Sequence, residues 1–169
     1  FLRWGIEPAR LVRCAQGIPL APYGAHRRAP AATLRIGFAG GFLPSKAPHL
    51  LLDAVERLPA GAVTVDLLGS AASYHGRSDY ADAVLRRLPH PAVRRHGPVP
   101  HDHMPAALHE VDVVAVPSVW LENAPFIIRE AFAAGAPVVA SRLGGMAEMV
   151  RHEGDGLLVT PGDAADLAA

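Results

Sequence analysis

The stretch that decides the fold is VDVVAVPSVWLENAPFIIREAFAAGAPVVAS, residues 111–141. It opens on a short apolar run, closes on another, and carries between them the helical pattern PFIIREAFAAG ending at Gly135. Short β-branched runs read as buried strands, and a helix joining two of them reads as a right-handed crossover between parallel strands. Its carboxylates pose a question. Glu122 falls in the loop after the first strand, and Glu130 sits in a helix whose only other charge is Arg129. Ile127, Ala131 and Ala134 share the helix face of Glu130. A carboxylate on an apolar stripe costs free energy unless it is paired or hydrogen-bonded. It is either an ion-pair partner, of Arg129 or another arginine, or an acceptor for ligand hydroxyls, as in dinucleotide-binding folds where a carboxylate holds ribose.

The same grammar extends outward. LRIGFAG, AVTVDLLG, AVRRHGPV and GLLV read as further strands, the third of them weak, and APHLLLDAVERL, SDYADAVLRRL, HMPAALHEV, GGMAEMVRH and PGDAADLAA as helices. Strands alternating with helices at this spacing predict an α/β fold, a Rossmann-like six-stranded parallel sheet with helices on both faces. Ligands of such sheets bind beyond the carboxyl ends of the strands, where the strand order reverses. Residues 1–33 show little sustained period. A short strand ending at Gly17 is expected within LVRCAQGIPL, and the rest reads as linker, leaving 34–169 as the folded domain.

Composition narrows the function classes. Lys plus Arg equals Asp plus Glu at 16 each, so a basic nucleic-acid-binding face is not expected. Cys14 is alone, which excludes an internal disulfide and favours a reducing, cytoplasmic setting. No apolar run approaches the ~20 residues of a membrane-spanning helix. The mean hydropathy is positive, +0.19, as for a domain whose apolar surface faces a missing partner. The chain begins with Phe1 rather than Met, and is read as a fragment.

Three constellations bear on chemistry. In GFAGGFLPSKAPHLLL, Gly40 and Gly41 follow a strand and Lys46 precedes a helix. The glycines let backbone approach a ligand, the helix start favours an anion, and the lysine brings a mobile charge. The spacing is neither the P-loop nor G-x-G-x-x-G, and a tight turn with a solvated lysine is the alternative. Second, NAPF opens the helix of Glu130, where the amides of Asn123, Ala124 and Phe126 are available donors and Pro125 has none. Third, Gly144 and Gly145 precede a helix, and a plain strand-to-helix turn is preferred there over a second anion-facing turn. His101 and His103 form H-x-H without a third ligand, so no metal site is expected. No G-x-S-x-G elbow occurs, and Cys14 lies in the irregular segment, so nucleophilic hydrolysis has no support.

Glu122 and Glu130, with seven residues between them, resemble the E-x7-E motif of retaining glycosyltransferases of the large group 1 (GT4) class. The blocks PSVWLENAPFIIREAFAAGAPVVASRLGGMAEMV, GFAGGFLPSKAPHLLLDA and GDGLLVTPGDAADLA resemble that family's signature region, phosphate-binding turn and usual continuation. FLRWGIEPARLVRCAQGIP is similar to its domain-joining segment. The resemblance implies the C-terminal, donor-binding half of a two-domain GT-B fold, the N-terminal acceptor domain being absent. It implies that Glu130 holds the ribose hydroxyls and that Glu122 contacts the transferred sugar, aided by the amides of Asn123, Ala124 and Phe126. Lys46, with Gly40 and Gly41, is implied to stabilise the diphosphate, and Val99 to border the base. Glu122 and Lys46 are thus the implied catalytic residues. The implied donor is a UDP-, GDP- or ADP-sugar, used for hexosyl or similar transfer with retention and without a bound metal or permanent cofactor. The implied setting is envelope or polysaccharide synthesis, in the cytoplasm or peripheral to a membrane. Two departures stand out: Gly41 occupies a position where the family often has Arg, and Ala47 one where it commonly has Gly. The alternatives are a non-catalytic nucleotide or sugar-phosphate binding domain and a GT-B nucleotide-sugar epimerase.

Overall fold

The computed structural model describes every residue except Phe1, Arg13, Ala25, Arg27, Ala72 and Tyr74, and of Leu2 the backbone alone. Six strands form one sheet: β1 (Leu34–Ala39), β2 (Val63–Leu68), β3 (Val93–Gly97), β4 (Val113–Val116), β5 (Val138–Ser141) and β6 (Gly156–Val159). They lie in the order β3-β2-β1-β4-β5-β6, and every neighbouring pair is parallel. Between the strands run α1 (Pro48–Val55), α2 (Asp79–Arg87), α3 (Met104–His109), α4 (Phe126–Ala133) and α5 (Gly144–Met149), and α6 (Ala164–Ala168) follows β6.

The sheet is covered on both faces, as the alternation of its strands requires. In β4, Val114 and Val116 point into an apolar cluster with Leu108 of α3, Ile128 of α4 and Met146 of α5. Ala115, between them, points into the opposite cluster with Phe38, Leu51 and Val65, where α1 and α2 pack. Leu167 of α6 closes on that second cluster. The chain winds outward from β1 through β2 to β3, then returns to place β4 on the other side of β1. The connections after β1 and β4 therefore leave in opposite directions and open a crevice between them.

The weak third strand is an edge, which explains its polarity. Arg94, Arg95 and His96 of β3 are exposed. Arg94 nonetheless grips the buried Asp66 of β2 with Nε at 2.9 Å and Nη2 at 2.7 Å, and His96 Nε2 lies 2.5 Å from the same carboxylate. A buried carboxylate held by a guanidinium fork satisfies its lone pairs and pins the edge in register.

The N-terminal stretch corrects the expectation of a strand ending at Gly17. No strand forms among the described residues of 11–17, and Leu11 and Val12 are exposed, so no alternating face is buried there. The stretch is nevertheless anchored further on. Tyr23 is 3 % exposed within the cluster under α3 and α4. The Arg28 guanidinium donates to the carbonyls of Leu108, Ala134 and Gly135, each at 2.9 Å, and to that of Val111. No helix among the described residues is long and apolar enough to cross a membrane.

Candidate functional site

The carboxyl ends of β1 and β2, the segment after β3 and the helices α3 and α4 meet around a cleft of about 320 Å³. Gly40, Gly41, Gly69, Val99, Ile127 and Glu130 are among its walls. Gly69 is there because nothing larger fits: a β-carbon on it would lie 1.8 Å from the carbonyl oxygen of Gly40. The turns after β1 and β2 thus press backbone on backbone, and the Phe42 amide donates to Ser70 O at 2.9 Å. The result is a floor of main chain, without side chains to keep a ligand away.

Glu130 enters this cleft from the second turn of α4 and is 6 % exposed. The possible pairing with Arg129 is not formed, because adjacent helix residues diverge by about 100° around the axis. Arg129 instead lines hollows beneath the N-terminal segment, and its buried Nη1 has no hydrogen-bond partner among the described residues. The neighbours of Glu130 are His101, whose Nδ1 lies 3.4 Å from Oε1, and Tyr23. Burial pushes the Tyr23 phenol up to about 12, and the charge of Glu130 and hydrogen bonding to it act in the same direction. His101 is largely exposed, so the face of Glu130 toward the cleft is not closed by a permanent cation.

Lys46 and Glu122 are not among the residues that line this cleft, and they meet each other. Lys46 Nζ is 2.6 Å from Glu122 Oε1, with the lysine side chain 35 % and the glutamate 16 % exposed. Ser118, 1 % exposed, places its hydroxyl 3.1 Å from the same oxygen and 2.7 Å from Ser45 O, donating to one at a time. Ser45 O also accepts from the Val119 amide at 2.9 Å. The loops after β1 and β4 are thereby tied together beside the lysine. The loop after β5 joins them, since the Gly145 amide donates to Glu122 O at 2.6 Å. The Gly144–Gly145 turn is accordingly a support for the Glu122 backbone.

The remaining expected residues separate. Gly40, Gly41, Val99 and Glu130 share the cleft, and Lys46 pairs with Glu122 outside its lining. Asn123 and Ala124 line a different hollow, of about 260 Å³, together with Cys14 and Gly145. Phe126 is 50 % exposed at the first turn of α4. Among the described residues the amides of Asn123, Ala124 and Phe126 have no backbone acceptor. Sequence reasoning missed Ser118 and Tyr23. The hydroxyl in VPS carried no periodic signal, and Tyr23 sits in a stretch read as linker. No group of three or more His, Cys, Asp or Glu side chains able to hold a metal occurs among the described residues.

A doubly wound parallel sheet whose crevice opens at the β1/β4 reversal, with two carboxylates and a lysine on its loops, defines a Rossmann-like domain of the GT-B type. Comparison with known proteins narrows this to a family. Residues 33–169 match the family described as Glycosyl transferases group 1. The D-inositol 3-phosphate glycosyltransferase of Mycobacterium marinum is 32 % identical over 96 % of this chain, which spans only 36 % of that protein. The structure of Anabaena Alr3699/HepE in complex with UDP and glucose superposes with a TM-score of 0.77 at 28 % identity, covering 90 % of this chain and 44 % of that one. The apo form of the lipopolysaccharide outer core galactosyltransferase WaaB, at 18 % identity, shares the fold with a TM-score of 0.74, covering 99 % of this chain and 47 % of that one. The chain belongs to the group 1 glycosyltransferases.

Proposed function

We propose that this chain is the donor-binding part of an enzyme that transfers a sugar from a nucleotide-diphosphate sugar to an acceptor with retention of configuration. The acceptor is bound largely by a domain outside this chain. The observation that carries the reading is Glu130, a buried carboxylate facing a glycine-floored cleft and having, among the described residues, only an exposed histidine in ion-pair range. A ribose diol presents two hydrogen-bond donors to such a group. Val99 then borders the base, and the Gly40–Gly41 turn lies where the diphosphate passes toward Lys46. That a structural relative carries UDP and glucose supports a uridine nucleotide as the first candidate among UDP, GDP and ADP.

In the reaction the bond between the anomeric carbon and the diphosphate breaks, and the acceptor oxygen takes its place on the same face. The acceptor proton passes to the leaving phosphate. Lys46 and nearby amides stabilise the charge that grows on the departing diphosphate. Glu122 is held through Oε1 by Lys46 and Ser118, which suits accepting a sugar hydroxyl better than attack on carbon.

Calorimetric titration with UDP, GDP and ADP tests the reading. One nucleotide is expected to bind saturably, and Glu130→Ala to weaken it by about tenfold to a hundredfold, the worth of one or two hydrogen bonds to a charged acceptor. Absence of binding to this chain and to the longer protein alike, or full affinity in Glu130→Ala, overturns it. The stereochemistry of the transferred sugar checks retention.

A further inference from the structure

The cleft has a charge problem that the Lys46–Glu122 contact makes specific. Among the described residues its walls carry no cation, and Glu130 contributes a negative charge. Lys46 ends the same β1–α1 loop that holds Gly40 and Gly41, but its ammonium is already engaged by Glu122 at 2.6 Å. A diphosphate arriving here meets no uncommitted positive side chain among the described residues that line the cleft. One partner must give way, and the two are unequally free to do so. Glu122 is pinned by its amide on Trp120 O at 2.8 Å and by its carbonyl under the Gly145 amide at 2.6 Å. Lys46 carries its charge at the end of a flexible four-carbon stem.

We propose that Lys46 exchanges partners when the donor binds. The ammonium leaves Glu122 for the diphosphate, and a hydroxyl of the transferred sugar replaces it at Glu122 Oε1. The inference rests on the donor-site reading above and adds a consequence for specificity. Once Lys46 has moved, Glu122 keeps, among the described residues, only the Ser118 hydroxyl, and a partly buried carboxylate left short of donors is costly. A nucleotide sugar supplies the missing donor. A bare nucleoside diphosphate supplies none and ends in a terminal phosphate with additional negative charge at neutral pH. The pair therefore discriminates against the spent nucleotide, and re-forming the Lys46–Glu122 contact helps to expel it after transfer.

The test compares UDP with UDP-glucose, or the corresponding guanosine or adenosine pair, in titrations of the wild type, Glu122→Gln and Lys46→Met. Glu122→Gln keeps the shape and removes the charge. It is expected to raise affinity for the bare diphosphate by about threefold to tenfold, the scale of one partly exposed ion pair. Affinity for the nucleotide sugar is expected to rise less or to fall, so the ratio between the two ligands shifts toward the spent nucleotide. Lys46→Met is expected to weaken both. If the wild type binds the diphosphate and Glu122→Gln binds it equally or more weakly, the exchange is wrong while the donor site stands. If neither protein binds any nucleoside diphosphate, either as this chain or within the longer protein, the donor-site reading fails and the exchange with it.

Discussion

Gly145 has no room for a side chain: a β-carbon there would lie 1.8 Å from the carbonyl oxygen of Asn123. The obstacle is backbone, so relief requires moving either the start of α5 or the Glu122–Asn123 loop. Gly145→Ala is expected to cost about 2–3 kcal/mol, the range of overpacking in a rigid site, as read from urea denaturation. Stability equal to the wild type would mean that the three loops are less tightly tied than their hydrogen bonds indicate. This role was invisible from the sequence, where Gly144–Gly145 reads only as a turn, because the atom excluded belongs to a loop 22 residues earlier in the chain. The spacing of Glu122 and Glu130 was legible, since a carboxylate on an apolar helix face stands out against its neighbours. Ala47 lies between these cases. It holds a left-handed φ of 50° while fully buried, a conformation that glycine ordinarily takes; the resemblance marked the position as one where glycine is common, and the backbone gives the reason.

At the scale of elements, the residues that close α3 and α4, Glu110 and Ala134, cap them through backbone amides. The last carbonyls of a helix need donors, and cations are favoured there. Arg28 supplies both from outside, donating to Leu108 O at the end of α3 and to Ala134 O and Gly135 O just past α4. Arg28→Met is expected to keep the stem packing and lose the fork, destabilising by about 2–4 kcal/mol given several charged hydrogen bonds in partly exposed positions. Arg28→Lys is expected to recover little, since an ammonium cannot span carbonyls on two helices. Full recovery by lysine in thermal unfolding would show that charge alone matters. Such an anchor leaves no period in the sequence. Residues 1–33 therefore read as linker, although single contacts through Tyr23 and Arg28 fix part of them to the domain.

For the molecule as a whole, the sheet was readable because each strand and helix declares itself by local period. The meeting of Lys46 with Glu122 across 76 residues was not, because it exists only once β1 and β4 are neighbours. Both faces of that sheet also hold a tyrosine that resists ionisation. Tyr23, under α3 and α4, and Tyr80, on the side of α1 and α2, are each pushed up to about 12, first by burial. Tyr80 donates to or accepts from His49 Nδ1 at 2.6 Å, and Tyr23 faces the Glu130 carboxylate. Unfolded, each titrates near 10. Between pH 10 and 12 the unfolded chain has released these protons while the folded chain keeps them, so the unfolded state binds fewer. Stability then falls as pH rises, by up to about 1.4 kcal/mol per pH unit for each tyrosine, and neither contributes to the slope below pH 10. Urea denaturation at pH 8, 10 and 11 is expected to show a shallower alkaline loss in Tyr23→Phe, and likewise in Tyr80→Phe, than in the wild type. Parallel pH dependences for the wild type and Tyr23→Phe would mean that the phenol ionises as readily in the fold as outside it. Tyr23 would then not be packed against Glu130 as the structure has it.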